Sequence, residues 1–176
     1  MPRRLPAPTA RPARGFQLIE LLLIVMLLAV ALALGWSPWQ RALRHLQAES
    51  LRRQLVASLS LARSTAITER RRVSVCGSSD GQQCDQAWSR GWRVRIEPRT
   101  ATEGPGRLLR THTNRQHRVE LRTSDHRPEV EFRPDGRNAG TNQSIVLCVD
   151  GYEHSRVIIN VPGRVRSERP RQPAAC

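Results

Sequence analysis

The sequence contains no lysine: all 29 basic side chains are arginine, set against 15 acids, for a formal charge of +14. A catalyst working through a lysine amine is thereby excluded. Aromatic residues are equally scarce, 4% of the chain with a single tyrosine, so few rings are present on which nucleobases could stack. There is no CxxC pair, no histidine at ligand spacing from a cysteine, no calcium-loop pattern around Asp80, Asp85 or Asp135, and no internal repeat. The histidines His45, His112, His117, His126 and His154 are scattered among polar neighbours and read as surface residues. Neither a catalytic residue nor a metal site nor a cofactor is expected. A length of 176 residues limits the chain to one modest domain.

What is abundant is positive charge, and it is not confined to one end. Residues 1–15 carry Arg3, Arg4, Arg11 and Arg14 without an acid, and removing them still leaves +10. An anionic partner is the physical expectation for such an excess. Between the two basic parts, residues 16–35 contain only Gln17 and Glu20 as polar side chains. A helix of roughly 20 residues spans the roughly 30 Å hydrocarbon core of a bilayer. The arginines before this run place residues 1–15 in the cytoplasm and the bulk of the chain outside, anchored in the inner membrane. A secretory signal would have a shorter run and a small-residue cleavage site, which Ala29, Ala31 and Ala33 imitate only loosely.

Glu20 is the informative residue, because a carboxylate in an apolar run costs several kcal/mol unless a cation meets it. The stretch Gly15-Phe16-Gln17-Leu18-Ile19-Glu20-Leu21 resembles the class III signal of type IV pilins and pseudopilins. The resemblance implies that prepilin peptidase cuts after Gly15 and methylates the new amine of Phe16. It also implies that Glu20 pairs with that amine on a neighbouring pilin or pseudopilin during assembly. Gln17 stands where threonine is more usual.

Ser37-Pro38 interrupts the apolar run, and proline in a helix removes a hydrogen bond and usually bends it. Beyond it Leu43, Leu46, Leu51, Leu55, Leu59, Ala62 and Ala66 recur at helical spacing, with Arg44, Glu49, Arg52, Arg53 and Arg63 on other faces. One long helix ending near residues 70–72 is expected. Thereafter the period changes to two: Val73 and Val75; Trp92, Val94 and Ile96; Val119 and Leu121; Val130 and Phe132. Two stronger strands, residues 145–149 and 157–161, flank the turn-like Asp150-Gly151-Tyr152-Glu153.

This half resembles the GspH/FimT family, most closely its FimT branch. The resemblance rests on Leu61-Ala62-Arg63-Ser64-Thr65-Ala66-Ile67, Cys76-Gly77-Ser78-Ser79-Asp80-Gly81 with Cys84, Trp88, Gly91-Trp92, Phe132-Arg133-Pro134-Asp135-Gly136 and Gly163-Arg164. It implies a pilin-like α+β fold, a long N-terminal helix packed on antiparallel sheet. The expected organisation is a leader at 1–15, a membrane and assembly helix at 16–36, its amphipathic continuation at 37–72, a β-rich periplasmic domain at 73–162 and a basic tail at 163–176.

Four cysteines on the oxidising side of a membrane favour disulfides, with three possible pairings. Cys76 and Cys84 flank a Ser-Ser-Asp-Gly turn, and joining them leaves Cys148 to hold Cys176, the pairing preferred here. Zinc is the alternative use for the four.

The tail Gly163-Arg164-Val165-Arg166-Ser167-Glu168-Arg169-Pro170-Arg171 carries four arginines against one acid and shows no apolar pattern. Guanidinium forks grip phosphates bidentately without reading bases, so Arg164 and Arg166, with Arg169 and Arg171 extending them, suit a nucleic-acid backbone. In the FimT branch Gly-Arg-x-Arg near the C-terminus is associated with DNA binding in natural transformation, and here it falls on Gly163, Arg164 and Arg166. Arg137 and Arg156 join such a patch if the fold brings them near. With Trp88 and Trp92 read as structural, double-stranded DNA is the better partner. The competing reading is a GspH-like pseudopilin of a type II secretion system, for which the arginines are merely solvated; a minor pilin that only scaffolds lies between the two.

Overall fold

The computed structural model describes residues 18–114, 118–123 and 127–176, at 34–38 and 101 for the backbone alone. Gly15 and Phe16, the expected cleavage and methylation positions, lie outside the described residues, as do His117 and His126. Helix α1 (Leu18–Glu69) is followed by β1 (Val73–Gly77), β2 (Gly91–Ile96), a 3-10 turn at Ala101–Glu103, β3 (Arg107–Thr113), β4 (Val119–Thr123), β5 (Glu129–Phe132), β6 (Gln143–Val149), β7 (Tyr152–Ile159) and β8 (Val165–Glu168). The chain divides into two units at residues 40 and 41, within α1.

In the first unit the large apolar side chains from Leu18 to Leu32 are exposed, as is Glu20. Among the described residues no helix is long and apolar enough to cross a membrane. The apolar stretch with described side chains, 18–33, is sixteen residues, about 24 Å of helix, whereas the run in the sequence has 20.

In the second unit α1 is rich in leucine, alanine and arginine, all good helix formers, and buries one stripe. Ala48, Leu51, Leu55, Ser58, Leu59, Ala62 and Ala66 are buried at three- and four-residue spacing. Leu46, expected in the stripe, is 65% exposed, and Ala48 takes its place. The helix ends where Arg70 adopts a left-handed φ of 51° and the Arg71 amide donates back to the Ala66 carbonyl at 3.2 Å.

Two four-stranded antiparallel sheets, ordered β3-β2-β1-β5 and β4-β6-β7-β8, share one core with that stripe. Val75, Trp92, Val94 and Phe132 contribute from the first sheet; Leu121, Ile145, Leu147, Val157 and Ile159 contribute from the second. The β6–β7 hairpin closes through two residues, Asp150 and Gly151, with φ of 54° and 83°, the positive pair a tight hairpin requires. Glu153, expected in that turn, already belongs to β7.

Two strands escaped the sequence reading. β3 is exposed along most of its length and lacks the apolar alternation that marks a strand. β8 lies within residues 163–176, expected as a tail. Val165 packs on the core and the strand pairs antiparallel with β7 from Ile159↔Val165 to Arg156↔Glu168. The chain then returns to β7: the Glu153 amide donates to Ala174 O at 2.8 Å and the Cys176 amide to Gly151 O at 2.9 Å. Cys148 is bonded to Cys176, and Cys76 to Cys84, with Cα separations of 6.2 and 5.6 Å.

Candidate nucleic-acid interface

The turn from β7 into β8 is made by Asn160-Val161-Pro162-Gly163-Arg164. The Gly163 amide donates to Asn160 O at 2.7 Å and the Asn160 amide to Arg164 O at 3.1 Å. Gly163 is buried with φ +78°, and a Cβ there would run into the Gly136 carbonyl oxygen and lie 3.1 Å from Arg63 Nε. The glycine of the Gly-Arg-x-Arg motif is therefore dictated by packing rather than by a ligand.

Gly136 belongs to a second turn of the same character, Arg133-Pro134-Asp135-Gly136-Arg137, with φ +77° at the glycine. It is closed by the Arg133 amide to Arg137 O and the Gly136 amide to Arg133 O, both 2.8 Å. Asn138 N–H bonds Val161 O at 3.0 Å, and Arg63 on α1 donates from Nε to Gly136 O at 3.1 Å and from Nη2 to Pro162 O at 3.2 Å. One guanidinium thus fastens both turns to the helix. Beside them lies an open cleft of about 440 Å3 lined by Ser60, Arg63, Ser64, Ile67, Arg164 and Val165.

The arginines singled out from the sequence fall into different electrostatic settings. Arg164 is exposed and has no ion pair among the described residues. Arg166, on the outer face of β8, lies 3.3 Å from Glu168. Arg169 reaches back to Glu49 on α1 at 2.9 Å. Arg171 is exposed, again without an ion pair among the described residues, and lines an open groove of about 760 Å3 with His45, Leu46 and Tyr152. Arg137 is brought to the site by the contact of the two turns. Arg156 is not an added free charge, since it sits opposite Glu168 and bonds Glu153 at 2.8 Å. Arg122 on the same sheet bonds Glu120 at 3.0 Å, so the outer face of β4-β6-β7-β8 balances its arginines with glutamates.

Arg63 and Arg133 were missed as members of the site. Their signal was present, since both stand in segments that carry the family resemblance, but only the meeting of two turns distant in sequence assigns them a place.

Glu49 anchors the other end of β8. Arg52 donates to it from Nε at 3.0 Å and from Nη2, and passes its Nη1 to the Ser167 hydroxyl. The Arg52 bonds, opposed by burial and reinforced by Arg169, hold the Glu49 carboxyl down at about 2.

Two histidines depart from the surface reading. His112 is half-buried and stacks on Trp92 at 4.1 Å; burial, then Arg110, lowers its pKa. His154, also half-buried, faces His45 at 5.4 Å and is lowered by burial first and by His45 second. On the first sheet, burial followed by Glu97 and Glu131 raises Glu129. Among the described residues no group of three histidine, cysteine or acidic side chains is placed to hold a metal ion.

Residues 51–163 match the family model of type II transport protein GspH, and the chain belongs to that family. Its fold is similar to that of the type IV minor pilin FimU of Pseudomonas aeruginosa strain PAO1. The identity is 21% and the TM-score 0.57, over 73% of this chain and 92% of FimU. The minor pseudopilin EpsH from the type 2 secretion system of Vibrio cholerae is also similar in fold, at 16% identity and a TM-score of 0.50, over 72% of this chain and 97% of EpsH. No curated protein matches the chain. The α+β fold of one helix on two antiparallel sheets is thus that of the minor pilins and pseudopilins of the GspH/FimT family.

Proposed function

We propose that this chain is a minor pilin of a type IV pilus that binds DNA through backbone phosphates and supports DNA uptake in natural transformation. It is a structural and binding subunit with no catalytic step. The apolar run at 16–35 anchors it in the inner membrane with the remainder periplasmic, prepilin peptidase cuts after Gly15 and methylates Phe16, and Glu20 pairs with a neighbouring pilin's amine during assembly. The observation that carries the DNA reading is Arg164. It is an exposed guanidinium without an acid partner among the described residues, at a motif position, on a chain that keeps +10 after the leader is removed. Binding of this kind is independent of sequence and weakens steeply with salt.

The second reading is a pseudopilin of a type II secretion system without DNA binding. It is favoured by the neutralisation of Arg166 and Arg169 by Glu168 and Glu49, and by the match of residues 51–163 to type II transport protein GspH. The test is duplex binding by the full chain in an uncharged detergent, as a salt series, beside Arg164→Gln/Arg166→Gln. Loss of affinity with a fall of one to about two in salt slope supports the minor pilin. Absence of binding at low salt, or equal binding by the variant, returns the chain to the pseudopilin reading. Mass measurement of the mature N-terminus checks the methyl group on Phe16.

A further inference from the structure

The motif that drew attention in the sequence is one half of a symmetric arrangement. Two turns, Asp135-Gly136-Arg137 and Pro162-Gly163-Arg164, each place an arginine immediately after a glycine of positive φ, and the two glycines touch. Arg63 bonds the carbonyl of Gly136 and that of Pro162, and the Asn138 amide bonds Val161, so the turns are held as one rigid unit.

We infer that the phosphate-gripping surface is this pair of turns, with Arg137 as the partner of Arg164 and Arg133 beside it, rather than the run of arginines along β8 and beyond; the inference rests on the DNA-binding reading above. Arg133, Arg137 and Arg164 are all exposed, and none has an ion pair among the described residues. With Arg63 they make four positive charges against one acid in the two turns, Asp135, whose Oδ1 accepts from the Arg137 amide at 3.0 Å. By contrast, a phosphate approaching Arg166 or Arg169 meets Glu168 or Glu49 as well, and each arginine must give up a carboxylate before it gains an anion. The cleft lined by Ser60, Arg63 and Arg164 adds the Ser60 hydroxyl next to the same surface, whereas Ser64 Oγ donates to Leu61 O at 3.0 Å.

The test uses the full chain in uncharged detergent and a fluorescent duplex of roughly 30 base pairs, titrated across a salt series. Arg137→Gln and Arg164→Gln are each expected to lower the salt slope by about one and to weaken binding several-fold, while Arg137→Lys keeps the slope. Arg166→Gln/Arg169→Gln is expected to leave the slope within half a unit of wild type, on the order of the loss of less than one phosphate contact. The Arg137 side chain makes no bond or ion pair among the described residues, so its variants keep the wild-type melting temperature. Wild type that binds, is weakened by Arg164→Gln and is indifferent to Arg137→Gln overturns the paired-turn site while the DNA reading stands. Wild type that fails to bind at low salt overturns both.

Discussion

Gly163 rests against the carbonyl of Gly136 so closely that no Cβ fits between them. Gly151, in the β6–β7 turn, has a similar φ of +83° but open space around it. The two glycines separate the cost of backbone conformation from the cost of contact. Gly151→Ala is expected to cost about 1–2 kcal/mol from the left-handed conformation alone. Gly163→Ala adds a backbone collision and is expected to cost about 3 kcal/mol or more. Urea denaturation of the two variants checks this, and equal losses would contradict the packing of the turns.

The two disulfides are expected to differ in worth. The Cys148–Cys176 bridge spans 28 residues and the Cys76–Cys84 bridge 8. In the chain-entropy view these contribute about 3–4 and about 2–3 kcal/mol. Paired serine replacements, compared by denaturation, should rank in that order, and the first pair should also raise hydrogen exchange at the Glu153 and Cys176 amides.

Acid should release the junction between α1 and the residues after β8. The Glu49 carboxyl is held at about 2 when folded, below its usual value of 4.5, so its stabilisation is complete above about pH 4.5 and is lost as pH falls towards 2. Glu49→Gln is therefore expected to be less stable than wild type at pH 7 and equal to it near pH 2. A stability gap that persists unchanged at pH 2 would show that the ion pairs with Arg52 and Arg169 are not its source.

A second pH effect lies higher. Burial lowers the pKa of His112 and His154, so the unfolded chain takes up protons before the folded one does. Stability from this source is present above about pH 6.5 and declines as pH falls below it. His112→Asn/His154→Asn should flatten the stability profile between pH 7 and 5, whatever its effect on stability at pH 7.

Much of the fold was legible because its signals are periodic. The stripe through Leu51, Leu55, Leu59, Ala62 and Ala66 and the alternation in β1, β2, β4, β5, β6 and β7 follow from the geometry of helix and strand. Where the pattern is weak, other forces decide. β3 is an edge strand with little to bury, and β8 is held by pairing to β7, by Val165 and by a disulfide rather than by an apolar face. The candidate site divides in the same way. Gly163, Arg164 and Arg166 form a local string, whereas the positions of Arg63, Arg133 and Arg137 beside them depend on a meeting of Gly136 and Gly163 that no local pattern records. The neutralisation of Arg166 by Glu168, two residues away, could have been anticipated from the outward face they share on an extended chain.

The bond between Cys148 and Cys176 closes β7, β8 and the returning segment into a covalent ring. Every arginine from Arg156 to Arg171 lies inside it. A trypsin-like protease that nicks this stretch once opens the ring without shedding a fragment, so the nicked chain keeps all its residues, heavier only by the water of hydrolysis, until a reductant is added. A stretch that offers several cleavage sites is thereby also one from which a single cut removes nothing.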